Sequence, residues 1–168
     1  LQRVADYWEQ ILMINNHQRD RFTNKIVENI KIQNLAPKVL LLGWSFKKNT
    51  NDSRESASIY VANNLLNKNI GIDIYDPKVR QKQINLDLSN LNSSYNKSLV
   101  NIINDPFLNI SNYNSIAIMT EWDEFKNFDG EAVYKKIKKP AFIFDGRNIL
   151  NLDSINKIGF NYFGLGRN

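Results

Sequence analysis

The residues able to carry out chemistry form a small set, because the chain has no cysteine and one histidine, His17. Without cysteine there is no thiolate nucleophile, no thiolate metal ligand and no disulfide. A single histidine excludes a multi-histidine metal site, and a Ser-His-Asp triad could be built only around His17. We therefore expect no catalytic residue and no metal site in this chain, and the sequence favours binding.

Cations at the ends of predicted strands are the best candidates for a binding site. Lys47, Lys48 and Arg54 lie in the segment 43–56, which leads into a predicted helix. The N-terminus of that helix would also favour an anion. Arg147 follows another predicted strand closely, so Lys47 and Arg147 could hold one diphosphate if the two strand ends converge.

Each of these residues also has a simpler interpretation. Lys47 and Lys48 could be solvated loop charges, and Asp145 could be a turn former. Asp52 precedes Glu55 by three residues, a spacing that predicts a helix N-cap pair. The segment contains neither a G-x-G-x-x-G fingerprint nor a P-loop, so it is not the usual cradle for a dinucleotide or triphosphate.

Length and charge narrow the class of protein. The 168 residues suit one compact domain with an extra element, and the net charge of +5 favours an anionic partner over a neutral one. A mildly basic solvated surface is the alternative. The basic residues are spread out, without a run of five like charges, which weakens the case for nucleic-acid binding.

Neither a membrane span nor a signal peptide is predicted. No apolar run approaches ~18 residues, and the N-terminus lacks a basic segment followed by an apolar one. We therefore expect a cytoplasmic protein that does not bind membranes. The first residue is leucine within a helical pattern, so the chain could be a fragment or a processed form.

A long helix is predicted at the N-terminus, because residues 1–32 contain no glycine or proline and carry apolar residues at helical spacing. Residues 15–17 interrupt that stripe, which predicts a bend or an exposed midsection. Residues 8–14 are apolar on more than one face, so we expect them to pack against something outside this chain or a second copy. An ordinary core helix is the alternative.

After Pro37, short apolar segments alternate with amphipathic ones. Strands are predicted at 38–43, 70–77, 98–103, 115–120, 141–146 and 161–166. Helices are predicted at 55–67, at 122–138 as one or two helices and at 152–158, with a short helix opening at Asp105-Pro106 and a polar loop at 81–96. This alternation predicts a three-layer, Rossmann-like α/β fold with a mostly parallel sheet, helices on both faces and a long N-terminal helix.

Several linked motifs resemble one enzyme family. Residues 46–56, FKKNTNDSRES, resemble the F-K-x-x-T-x-D-x-R-E-S signature of the UDP-glucose/GDP-mannose dehydrogenase family. Segments 74–79, 120–125 and 140–147 match in the right order and spacing, and resemble the UDP-glucose branch most closely. Residues 7–22 resemble the last part of the family's central dimerisation helix.

The resemblance implies a function for the whole protein. Members of that branch oxidise UDP-glucose to UDP-glucuronate in two NAD-dependent steps, through a thiohemiacetal and a thioester on a cysteine. It implies that residues 1–34 end the dimerisation helix and that residues 37–168 form the UDP-sugar-binding domain. The nucleophile and most NAD contacts would lie elsewhere, so this chain alone is expected to be an inactive homodimer that binds UDP-glucose or UDP-glucuronate.

Site roles carry over residue by residue. Phe46 and Lys47 match positions that contact the UDP-sugar, and Arg147 matches an arginine that contacts the UDP part. Arg54 matches an arginine that reaches across the domain interface to NAD. A freestanding, non-catalytic nucleotide-sugar-binding or regulatory module is the rival interpretation. An upstream reading frame with G-x-G-x-x-G and a cysteine motif would favour the enzyme.

Two further expectations concern residues within and just before the segment 46–56. Asp52 and Glu55 are expected to cap the following helix and to orient Arg54. Trp44 and Ser45 replace the smaller or apolar residues common in the family between the glycine and the phenylalanine, so the substrate-side wall could differ.

Overall fold

The fold is a parallel sheet flanked by helices. The computed structural model describes the backbone of residues 2–31 and 37–166, and the side chains of residues 9–30 and 37–166. In these ranges the strands are β1 (Lys38–Leu42), β2 (Gly71–Tyr75), β3 (Val100–Ile102), β4 (Ser115–Ile118), β5 (Phe142–Asp145) and β6 (Asn161–Gly164). Every pairing is parallel, and the order is β3-β2-β1-β4-β5-β6. The predicted α/β fold is confirmed, with a fully parallel sheet.

Helices precede and cover the sheet. They are α1 (Gln2–Lys31), α2 (Ala57–Leu66), α3 (Gln81–Leu91), α4 (Asp123–Lys126), α5 (Gly130–Lys136) and α6 (Leu152–Ile158), with 3₁₀ turns at Lys97–Leu99 and Ile110–Asn112. In the described backbone, none of these helices is both long and apolar enough to span a bilayer.

The apolar sequence of β1 reflects cover on both faces of the sheet. Val39 and Leu41 pack into one buried cluster, which includes residues of α1 and α2. Leu40 and Leu42 point the other way, into a second cluster formed with residues of α5 and α6. Because alternate residues of a strand face opposite sides, a strand buried on both faces needs an unbroken apolar run.

The two halves of α1 differ in burial. Its second half joins the sheet core through Phe22, Ile26, Val27 and Ile30. Residues 12–17 are exposed, so the predicted exposed midsection is confirmed. The core-helix alternative for residues 8–14 is not met at residues 12–14, which are exposed, and only the second half of α1 joins the core. The side chains of residues 2–8 lie outside those described, as does the predicted boundary between residues 34 and 37.

The prediction of a loop at 81–96 is wrong, because residues 81–91 form α3. Ile84 and Leu88, one turn apart, are both buried in the cluster that α3 shares with α2 and the sheet. Of the four apolar residues among the eleven of α3, Leu86 and Leu91 are exposed, and the polar residues between them mask the helical spacing in the sequence.

Two local predictions also fail. The N-cap of α2 is Ser56, whose hydroxyl accepts from the Ser58 amide, and not the Asp52–Glu55 pair. At Asp105 the chain makes a turn, in which the carboxylate accepts from the amides of Phe107 and Leu108, and no helix begins there.

Candidate anion-binding site

The candidate site lies where the sheet reverses its order of connection. From β1 the chain builds outward through β2 and β3, and then returns to add β4 on the other side of β1. In such sheets the crevice outside the carboxyl ends of the strands at this switch point takes ligands. The segments 43–56, 119–122 and 146–151, which follow β1, β4 and β5, are therefore the segments to examine.

The turn after β1 begins with a glycine that no other residue could replace without strain. Gly43 has φ +98°, and a Cβ there would lie 2.5 Å from Cβ and Oγ1 of Thr120. The Thr120 hydroxyl donates to the carbonyl oxygen of Ser45 at 2.7 Å, and the Ser58 hydroxyl donates to that of Gly43 at 2.9 Å. Close approach of the β1 and β4 ends thus depends on Gly43, and two buried hydroxyls fix the backbone that follows it.

Asp76, which follows β2, lies at a strand end where the sequence predicts function, and it is a centre of hydrogen bonding, a role that the sequence did not predict. Its Oδ2 accepts from the amides of Trp44 at 2.7 Å and Ser45 at 2.9 Å, and from the Trp122 indole at 3.3 Å. Its Oδ1 accepts from the amides of Lys78 and Val79, both at 2.8 Å. One carboxylate therefore joins the segments after β1, β2 and β4.

A second carboxylate holds the side chain of Trp44. Asp87 on α3 accepts from the Trp44 indole at 2.8 Å and from the Ser53 hydroxyl at 2.6 Å. Trp44 and Ser45 are fully buried. The two residues that depart from the family pattern therefore lie in the protein interior.

Arg147 reaches across the end of β4 to the segment after β1. Its Nη2 donates to the carbonyl oxygen of Phe46 at 2.9 Å, and its Nε donates to that of Met119 at 2.8 Å. The Arg147 amide donates to the buried carboxylate of Asp145 at 3.0 Å, so the aspartate is indeed a turn former. Glu121 lies 3.4 Å from Nε of Arg147. The structure thus brings Arg147 and the Phe46-Lys47 pair together although β4 separates their strands.

The two lysines of the loop differ in availability. The Lys48 ammonium donates to Asp123 at 2.9 Å, and the Lys48 amide donates to Glu121 at 3.3 Å. Lys47 is exposed, and in the described part of the chain no carboxylate lies within ion-pair distance of its ammonium. Phe46 beside it is 49% exposed. An arriving anion would therefore meet Lys47 before Lys48.

Arg54 is separate from this group. Its side chain is 87% exposed and pairs in a bidentate manner with Asp52, at 2.9 Å from Nε to Oδ1 and 2.7 Å from Nη2 to Oδ2. Hydrogen bonding from Arg54 lowers the pKa of Asp52 to about 2. The prediction that Asp52 orients Arg54 is confirmed. Glu55 instead accepts from the Tyr60 hydroxyl at 2.9 Å.

The geometry favours anion binding by side chains over binding by turn amides. In a dinucleotide-binding sheet, backbone amides of the turn after β1 face the pyrophosphate. Here the amides of Trp44 and Ser45 already donate to Asp76. The described residues therefore do not fit the pyrophosphate of a dinucleotide at this turn. The cations considered for a ligand are Lys47 and Arg147, and Arg147 already uses Nε and one Nη2 hydrogen within the protein.

Similarity to known proteins extends over nearly the whole chain. The UDP binding domain model of the UDP-glucose/GDP-mannose dehydrogenase family matches residues 40–152. The chain is 41% identical to UDP-glucose 6-dehydrogenase of Gallus gallus over 172 residues, covering 99% of this chain and 35% of that protein. It is 38% identical to UDP-glucose 6-dehydrogenase 2 of Arabidopsis thaliana, covering 99% and 37%. The chain thus spans little more than a third of these relatives.

Solved structures share the fold. A UDP-glucose dehydrogenase from Pyrobaculum islandicum superposes with a TM-score of 0.68 at 22% identity, covering 94% of this chain and 31% of that one. An NDP-N-acetyl-D-galactosaminuronic acid dehydrogenase from Methanosarcina mazei Go1 gives 0.73 at 23% identity, covering 92% and 30%. Identities this low support the fold and carry no information on the substrate.

Proposed function

The chain belongs to the UDP-glucose/GDP-mannose dehydrogenase family, and on that premise we propose that it is the UDP-sugar-binding part of a UDP-glucose 6-dehydrogenase. The whole enzyme would convert UDP-glucose, two NAD⁺ and one water to UDP-glucuronate and two NADH in the cytoplasm, with release of protons. Residues 37–168 would bind the nucleotide sugar, and residues 1–34 would end the helix through which two subunits associate.

The observation that carries this proposal is the hydrogen bond from Arg147 to the carbonyl oxygen of Phe46. It places a guanidinium next to the backbone of Lys47, at the switch point where ligands bind in such sheets. Charge-assisted hydrogen bonds from cations to a diphosphate contribute about 1.5–3 kcal/mol each. The half-exposed ring of Phe46 adds apolar surface beside the two cations.

NAD would be bound mainly by a part of the enzyme outside this chain, since the turn after β1 does not fit a dinucleotide. When bound, NAD is the group that accepts hydride from the substrate. Arg54 is the residue of this chain that we assign to the cofactor. Its exposed guanidinium, held in one orientation by Asp52, supports that role.

Calorimetric titration of the chain with UDP tests the binding function. We expect UDP and UDP-glucose to bind, and uridine, which lacks the diphosphate, to bind far more weakly. The absence of heat with both UDP and UDP-glucose at millimolar concentration would contradict the proposal. A mixture of the chain, NAD and UDP-glucose should form no NADH, and NADH production that Lys47→Ala abolishes would show that the chain is a complete enzyme.

A homodimer through α1 is the partner that we propose. Leu12, Met13 and Ile14 are 63%, 65% and 60% exposed, and burial of such side chains favours association. Sedimentation equilibrium should show a dimer that Met13→Glu dissociates and that Gln10→Glu, a matched control on the same helix, preserves. A wild-type chain that is monomeric in this experiment would contradict the proposed homodimer.

A further inference from the structure

We propose that Asp76 is a positioning residue for the UDP site, which acts through the backbone of the segment after β1. The inference rests on the proposed function. Asp76 holds the amides of Trp44 and Ser45, and the next two residues are Phe46 and Lys47. Asp76 therefore sets where the carbonyl oxygen of Phe46 meets Arg147 and where Lys47 leaves the loop.

The amides of Trp44 and Ser45 face a carboxylate of the protein. Two successive amides after the first strand of such a sheet commonly bind a phosphate. In this protein the anion they face is a carboxylate of the protein itself, at 2.7 Å and 2.9 Å. The loop is thus held in its binding shape before any nucleotide arrives, and the nucleotide is left to the side chains.

Asp76 receives more N–H donors than an uncharged amide could accept. Five N–H groups from the segments after three strands point at the two oxygens of Asp76. A carboxylate has about four lone-pair sites and no proton to donate, so it can serve converging donors from both sides. An asparagine offers one acceptor oxygen, and its NH₂ group would face N–H donors on the other side.

The chain provides a matched control three residues earlier. Asp73 on β2 is also a buried carboxylate, and it accepts from the Tyr113 hydroxyl and lies 2.7 Å from the Lys38 ammonium. Lys38 begins β1 and Tyr113 precedes β4, so these partners lie at the opposite edge of the sheet from the loop. Asp73→Asn makes the same chemical change without touching the site.

The experiment compares Asp76→Asn and Asp73→Asn in the 168-residue chain. Thermal unfolding gives the stability, calorimetry gives the affinity for UDP below both melting temperatures, and amide hydrogen exchange reports on Trp44 and Ser45. We expect both variants to melt earlier. Asp76→Asn should weaken UDP binding by about tenfold and accelerate exchange at these two amides by about tenfold or more, whereas Asp73→Asn should leave both unchanged.

The outcomes separate this inference from the proposed function. Wild-type UDP affinity in Asp76→Asn, or an equal loss of affinity in Asp73→Asn, would overturn the positioning role. If the wild-type chain does not bind UDP, the proposed function fails. Independently of UDP binding, unchanged amide exchange at Trp44 and Ser45 in Asp76→Asn would overturn the inference. If Asp76→Asn does not fold, Asp76→Glu replaces it, because glutamate keeps the charge but moves the carboxylate. Asp76→Glu should weaken UDP binding by less than about tenfold, and wild-type affinity in this variant would also count against the positioning role.

Discussion

The loop after β1 has two arms that differ in what holds them. The first arm, residues 43–48, is tied to distant parts of the chain through Asp76, Thr120 and Arg147. In the second arm, residues 49–55, Ser53 is tied to Asp87 on α3, whereas Arg54 is held by Asp52, two residues away. The comparison teaches that neighbours in one sequence motif can depend on different parts of the molecule. The arm that carries the proposed UDP contacts is fixed by the sheet, and the arginine that we assign to the cofactor is held by a local pair.

The largest difference between the arms should appear on substitution of their residues with positive φ. Gly43→Ala should destabilise the fold by about 2–5 kcal/mol, because it adds positive-φ strain and a clash with Thr120. Asn49, an exposed residue of the second arm, has φ 64°, and Asn49→Gly should change the free energy of unfolding by less than about 1 kcal/mol. Urea unfolding measures both, and equal effects would erase the distinction between the arms.

Removal of the long-range anchor should come next in size. Arg147→Ala should weaken UDP binding by about one to two orders of magnitude, since it deletes a cation and releases the Phe46 carbonyl oxygen. Arg80→Ala, at an exposed arginine outside this network, serves as the control. Calorimetry that finds the Arg147 variant equal to the wild type would count against the site.

The two lysines sharpen the description of the first arm. Lys47→Ala should weaken UDP binding by about five- to tenfold, because its ammonium is available to the diphosphate. Lys48→Ala should change it by less than about twofold, because that ammonium is engaged with Asp123 in an exposed ion pair. The same titration ranks the two variants, and the reverse ranking would assign the diphosphate to Lys48.

The smallest effect on UDP is expected in the second arm. Arg54→Ala should leave the affinity for UDP unchanged while the pKa of Asp52 rises from about 2 toward its ordinary 3.8. Because the folded-state pKa is lowered, the pair stabilises the protein above pH 3.8 and loses this contribution as the pH falls toward 2. Carboxyl NMR titration follows Asp52 directly, and an unmoved pKa would mean that another group lowers it.

Much of the fold could be predicted because parallel strands covered on both faces appear as apolar runs. The strand at 141–146 is an example: four of its residues form β5 and are buried. The helix α3 could not be predicted, because its stability comes from Ile84 and Leu88 packing on the sheet and not from a strong local pattern. Its remaining residues are polar except for Leu86 and Leu91, which are exposed.

The candidate site was predictable only in part. The motif located Phe46, Lys47 and Arg147, and strand-end convergence suggested that they meet. Asp76 was missed as a centre because its partners Trp44 and Trp122 lie 32 and 46 residues away, and backbone donors leave no residue-type signal. The spacing of Asp52 and Glu55 predicted a capping pair, yet Glu55 has φ 56° and Ser56 begins the helix.

The hydrogen bond between Arg147 and Phe46 has a consequence for biosynthesis, because it joins residues 101 positions apart. Emerging from the ribosome, a chain holds the first lysine of the site long before β5 and its arginine exist. Contacts so distant in sequence form late, after the intervening strands have paired. Nascent chains that end before Arg147 lack one of the two cations of the proposed site, so nucleotide binding is expected only after β5 has joined the sheet.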